Sequence, residues 1–134
     1  MNRAAFSPLP LVAHGLAPHD RAAWLCALYP RIGELHDRYA TLQGRVRAEW
    51  WLRDAEVEML AALCAHRASL DEQAVNAESA KEQILFLFLL EQIATFLTSS
   101  EGSGAFDPGR DERTFSAHIA QLESSDADED RANR

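Results

Sequence analysis

Ile84-Leu85-Phe86-Leu87-Phe88-Leu89-Leu90 is the most apolar run in the chain, and its reading decides the fold. A run of this length fits a buried strand as well as a helix. Two flanking patterns favour helix. Just upstream, Ser79-Ala80-Lys81-Glu82 has the Ser-x-x-Glu form of a capping box. Beyond Leu90 the apolar positions narrow to Ile93, Ala94, Phe96 and Leu97, one face at the helical period. The spacing predicts a helix from about Ser79 to Thr98. At about 100° per residue, the side chains from Ile84 to Leu90 cover every side of the cylinder. A helix that is apolar all round needs cover all round.

Working upstream, Ser69 to Glu72 is a second Ser-x-x-Glu, and Asp71 to Ala80 reads as a short helix, a loop or the start of the third helix. A second helix is expected from about Val46 to Ala68, with Leu52, Met59, Leu60, Leu63 and Cys64 on its apolar face. Glu49-Trp50-Trp51 lies within it. Adjacent tryptophans on a helix point about 100° apart, so one is expected inside and the other at the boundary; the alternative is that both close the edge of the core. A first helix is expected to start near Pro18 to Asp20, where proline and an acidic residue suit a first turn. Leu25, Leu28, Ile32, Leu35, Tyr39 and Leu42 then alternate spacings of three and four. Pro30 sits inside that seam and either kinks or breaks the helix. Gly44 reads as its stop.

At the ends, residues 1–17 lack periodicity and read as an irregular arm. Ser99 to Gly109 is a loop rich in breakers. A short helix from about Asp111 to Leu122 presents Phe115, Ile119 and Leu122. From Glu123 the chain is polar and acidic, and a disordered tail is expected over 123–134. The expectation is therefore all-α: a small helical bundle over 18–122, three long helices plus a short C-terminal one.

Composition bounds the function. At 134 residues the chain suits one domain, and 47% apolar residues supply a core. The net charge of -8 disfavours phosphate backbones and anionic membrane surfaces alike. Lys81 is the only lysine, which reads as a coding bias towards arginine. The run at 84–90 is far shorter than the roughly 20 residues a membrane span needs. Met1 to Pro10 holds no continuous apolar signal segment. Cys26 and Cys64 stand in apolar helical patterns outside any CxxC, so two reduced core cysteines and a cytoplasmic setting are expected.

Catalytic patterns are scarce. No two of His14, His19, His36, His66 and His118 have the i, i+4 spacing that shares a metal on one helix face, and there is no HExxH. His36-Asp37 resembles the dipeptide of metal-dependent phosphohydrolases, but a helix-flank histidine explains it as well. His66-Arg67-Ala68-Ser69 only faintly suggests a phosphotransfer histidine. Gly102-Ser103-Gly104 follows a helix, whereas phosphate-cradling loops precede one. No nucleophile elbow, Walker loop or dinucleotide glycine pattern occurs.

Trp24, Leu28-Tyr29-Pro30-Arg31, Glu49-Trp50-Trp51, Leu60-Ala61-Ala62-Leu63 and Gly104-Ala105-Phe106 together resemble an uncharacterised bacterial domain family. Its members read roughly Tyr-x-Arg, a Trp-Trp block followed by His-Pro-Glu-Ala, a Leu-x-Ala-Leu-Trp helix and a closing Gly-Pro-Phe. The likeness spans Trp24 to Phe106. It departs at Asp54-Ala55, at Ala48 where members often have Cys, at Ala105 where they have Pro, and around Phe86 to Phe88. Members are often encoded near plasmid or phage genes. The resemblance thus implies a small domain carried by mobile elements, and no particular activity.

These observations lead to a non-enzymatic protein-interaction module, an accessory or regulatory protein on the resemblance. Its partner-binding residues are expected to be Trp50, Trp51, Phe86, Phe88 and Leu89. An unidentified protein partner is expected, and a homodimer through the third helix, because too few other helices remain to enclose the 84–90 run. Enclosure within one chain by the arm and the last helix is the alternative. No cofactor, metal, catalytic residue or membrane contact is expected. One rival reading is an acidic regulator that binds a basic DNA-handling protein. Another is a small enzyme or metal site around Glu34, His36 and Asp37. Arg45, Arg47 and Arg53 make a local basic cluster but no continuous basic stripe. Titration with duplex DNA at physiological salt is therefore expected to show no binding by fluorescence anisotropy; tight binding that weakens steeply with salt contradicts this.

Overall fold

Helix α1, Pro18–Arg38, begins where the sequence indicates. Pro18 occupies the first turn, where its missing N–H is no loss, and Asp20 faces the positive end of the helix dipole. The computed structural model describes residues 16–98 and 104–132. Within them α1 is followed by α2 (Asp54–Glu72), α3 (Ala77–Thr98) and α4 (Glu112–Ala132), with single 3-10 turns at Ala40–Leu42 and Trp50–Leu52. No strand occurs among the described residues, and the protein is an all-α bundle. Helix α1 packs on both α4 and α2, and α3 is carried on α2. Of the arm expected over 1–17 only Leu16 and Ala17 are described, Leu16 packing against the core.

Pro30 does not break α1, which runs through it without interruption. Trp24, Leu25, Leu28, Ile32 and Leu35 are all buried on one side, while Pro30 and Cys26 are exposed on the other. The backbone bond that proline removes thus lies on the solvent side, and the buried stripe holds the helix together across it. Exposure of Cys26 corrects the expectation of two core cysteines; Cys64 alone is buried, and both are free thiols.

The second helix starts eight residues later than the periodicity suggested, at Asp54 instead of Val46. The intervening backbone is used elsewhere. Phe106 N–H donates to the Val46 carbonyl at 2.8 Å, and Ala48 N–H donates to the Gly104 carbonyl at 2.8 Å. This is a short antiparallel bridge centred on Arg47 and Ala105. Glu49 then takes a left-handed conformation, φ 60°, which turns the chain into the 3-10 turn carrying both tryptophans. A side chain there carries local strain, and its carbonyl accepts from Leu52 N–H and from the Arg53 guanidinium.

The remaining boundaries also moved for identifiable reasons. Asn76 caps α3: its Oδ1 accepts from Ser79 N–H at 2.9 Å, and Ser79 Oγ accepts from Asn76 N–H at 2.8 Å. The reciprocal cap is one turn earlier than the predicted Ser79–Glu82 box, and Ser69–Glu72 lies inside α2. Helix α4 continues to Ala132, so residues 123–132 of the tail expected to be disordered are helical in their backbone, and 133–134 lie outside the described residues.

A five-ring cluster joins the segments. Tyr29 of α1 stacks on Phe115 of α4 with ring centroids 4.2 Å apart, and meets Trp50, Trp51 and Phe106 at 5.7–6.2 Å. Its hydroxyl donates to the Pro108 carbonyl at 2.7 Å. Burial, reinforced by Asp111, Glu112 and Asp107, pushes the phenol up to about 12, so it remains a donor. Gly33, one turn on, is buried beneath Pro108, but a Cβ there would stand 3.6 Å from Pro108 Cβ, an ordinary contact. Gly33→Ala is therefore expected to raise stability by about 0.5–1 kcal/mol, the helix-interior penalty of glycine, read as a higher urea midpoint.

Candidate functional site

The candidate site is the outer side of α3. Phe86, Leu90, Ala94 and Leu97 recur at spacings of four, four and three and are all buried, with Ile93 beside them. They form the one stripe that α3 turns towards its own chain. Phe88 is two residues from both Phe86 and Leu90, which carries it about 160° round the helix from each. It is 60% exposed. Ile84, Leu85, Leu87, Leu89 and Phe96 are also exposed, between 36% and 69%. Among the described residues, helix α3 thus has two apolar sides, of which only one is covered.

The inner side is locked by polar contacts as well as by packing. Arg67 of α2 is buried, and its guanidinium donates to Tyr39 Oη at 3.0 Å, Gln83 Oε1 at 2.8 Å and Asp71 Oδ1 at 3.1 Å. It also lies 5.0 Å over the Phe86 ring, a cation–π contact. His66 approaches the same ring edge-on at 5.5 Å, with Glu82 Oε2 3.4 Å from its Nε2. These contacts fix which side of α3 faces inward and leave Phe88 outward.

The expected partner-binding residues therefore separate. Phe88 stands on the exposed side, and Leu89, about 60° round the helix from Phe86 and 36% exposed, lies at its edge. Trp50, Trp51 and Phe86 do not: each is at most 1% exposed. The reading of one tryptophan at the boundary assumed a helix, and in the 3-10 turn both rings enter the aromatic cluster, 5.6 Å apart and edge to face. Phe86 points at Arg67 and Tyr39. Ile84, Leu85, Leu87 and Phe96 were not singled out as binding residues. The signal for them was present, since a run apolar all round exceeds the one stripe that a peripheral helix buries.

The residues considered for chemistry do not converge. Glu34 is exposed, and the Asp37 side chain is 75% exposed. His36 is buried instead of lying on the flank of the helix, edge-on to Phe106 at 5.6 Å, with Nδ1 3.4 Å from Asp37 Oδ1. Among the described residues no group of three His, Cys, Asp or Glu side chains is placed to hold a metal ion. Burial pushes the Cys64 thiol up to about 12, with Arg31 opposing and Glu34 adding, which disfavours a thiolate nucleophile. Arg47, of the local basic cluster, is committed to Glu56 through Nε at 2.9 Å and Nη2 at 2.7 Å. No described helix is long and apolar enough to cross a membrane.

No family model, curated protein or solved structure matches the chain.

The two sides of α3 are expected to respond oppositely to truncation. Phe86→Ala removes a buried ring and is expected to cost about 3–5 kcal/mol. Phe88→Ala in dilute solution is expected to stay within about 0.5 kcal/mol. Urea unfolding of the two variants measures the difference.

Proposed function

We propose that this chain is a non-enzymatic protein-interaction module whose docking surface is the outer side of α3. The single observation that carries the reading is the row of exposed large apolar side chains on one helix: Ile84, Leu85, Leu87, Phe88, Leu89 and Phe96. Taking about 200 Å² for a fully exposed side chain of this size, they present roughly 600 Å² of apolar surface, the upper end of what a monomer shows. Leaving it in water is unfavourable by roughly 25 cal/mol per Å², so a partner that covers it gains that surface. The helix is held from behind by Arg67 and the Phe86 stripe, so little ordering remains to oppose docking.

Site-specific photo-crosslinking in cells tests the reading. A benzophenone amino acid at position 88 is expected to give a covalent protein adduct, and the same group at the exposed polar position 113 on α4 is expected to give none. No adduct at 88, or equal labelling at both positions, overturns it.

A further inference from the structure

We infer that the occupant of this surface is a second copy of the same chain, its α3 running antiparallel to the first about a two-fold axis level with Phe86. The inference rests on the docking surface proposed above and adds its partner and register.

Lys81, Ile84, Phe88 and Glu91 follow one another at spacings of three, four and three. At about 100° per residue they fall within a strip some 80° wide, and all four are exposed. This is the three-four seam by which helices pair side by side. Leu85 and Leu87 flank it on either side, both 44% exposed.

Charge selects the partner and its direction. In an antiparallel pair centred on residue 86, positions two before and two after the centre face each other, as do positions five before and five after. Ile84 of one copy then meets Phe88 of its partner, and Lys81 meets Glu91. The two-fold repeats both contacts, so one seam supplies two apolar pairs and two opposite-charge pairs. A parallel pair in register sets Lys81 beside Lys81 and Glu91 beside Glu91, which repel. The seam is therefore self-complementary in one direction only, and an isologous dimer needs only one such patch. Within its own chain Lys81 approaches Glu78 at 3.9 Å, with both side chains more than three-quarters exposed; a pair so solvated is worth little and does not oppose re-pairing with Glu91. The roughly 600 Å² of apolar surface is about three-quarters of the about 800 Å² per partner that a stable interface buries.

Sedimentation equilibrium of the purified full chain tests this, with Lys81→Glu, Glu91→Lys, the double variant and Phe88→Glu alongside. The wild type is expected to be a dimer at tens of micromolar. Phe88→Glu is expected to weaken association by at least 100-fold while its circular dichroism stays helical, since the side chain is outside the monomer core. Each single charge reversal is expected to raise the dissociation constant by roughly 5- to 10-fold, because two pairs are lost together, and the double variant to return to within about twofold of wild type. A monomeric wild type overturns self-pairing. A dimer whose double variant is no better than the singles overturns the antiparallel register. If the chain is monomeric yet position 88 crosslinks to another protein, the second copy is wrong and the docking surface stands; loss of both signals removes both proposals.

Discussion

Tyr29 is the joint on which the fold depends. Its ring stacks on Phe115, packs against Trp50, Trp51 and Phe106, and ties the Pro108 carbonyl through its hydroxyl. It therefore connects α1, the tryptophan turn, the bridge segment 104–106 and the start of α4, segments up to 86 positions apart in sequence. Aromatic pairs add about 0.5–1.5 kcal/mol each beyond the area they bury, and here several share one ring. The start of α4 is held from the other side by a compact polar turn. Asp107 Oδ1 accepts from Gly109 and Arg110 N–H, and Asp111 Oδ2 accepts from Asp107 N–H. Burial raises the Asp111 carboxyl, but Arg110 and the Asp107 amide outweigh it and hold the group below its ordinary range.

Once this end of the bundle is closed, α3 is left at the periphery. Its attachment runs through α2 and the 3-10 turn Ala40–Leu42, away from the aromatic joint. Two arginines carry the polar part of that arrangement. Arg47 and Glu56 join the bridge segment to the first turn of α2 as an ion pair with the carboxylate nearly fully buried. Arg67 joins α2, Tyr39 and α3 at one point. A buried pair of this kind is weak evidence of net stabilisation, because desolvation opposes the attraction. Its role here is directional: removing either partner strands a charge, so the pairing of the bridge segment with the start of α2 is specified.

A peripheral helix with apolar residues on both sides connects fold to function. The inner stripe satisfies the chain's own core. The outer stripe is left largely exposed among the described residues. The same side carries one lysine and one glutamate ten positions apart, and that spacing makes the surface complementary to itself when reversed. On the proposal of a second copy, that spacing gives the pairing a preferred direction.

The sequence by itself determined the helical class, the three long apolar segments and the excess of apolar surface on α3, because these follow from periodicity and composition within one stretch of chain. It placed the start of α1 and the end of α3 closely, where proline chemistry and a loss of apolar period act locally. Only the tertiary structure decided the rest. Val46 to Ala48 carries a helical pattern, yet its backbone bonds went to residues 104–106, a pairing no local window contains. On a helix, Trp50 and Trp51 would stand about 100° apart, one inside and one at the boundary, unless both closed the core edge; the left-handed Glu49 and the distant Tyr29 and Phe115 drew both inward. Pro30 was ambiguous until the burial of α1's other side was known. The same limit applies to the docking surface: the count of apolar residues on α3 was legible, but which of them face Arg67 and which face water depends on where α2 lies, and that is set by packing across the whole chain.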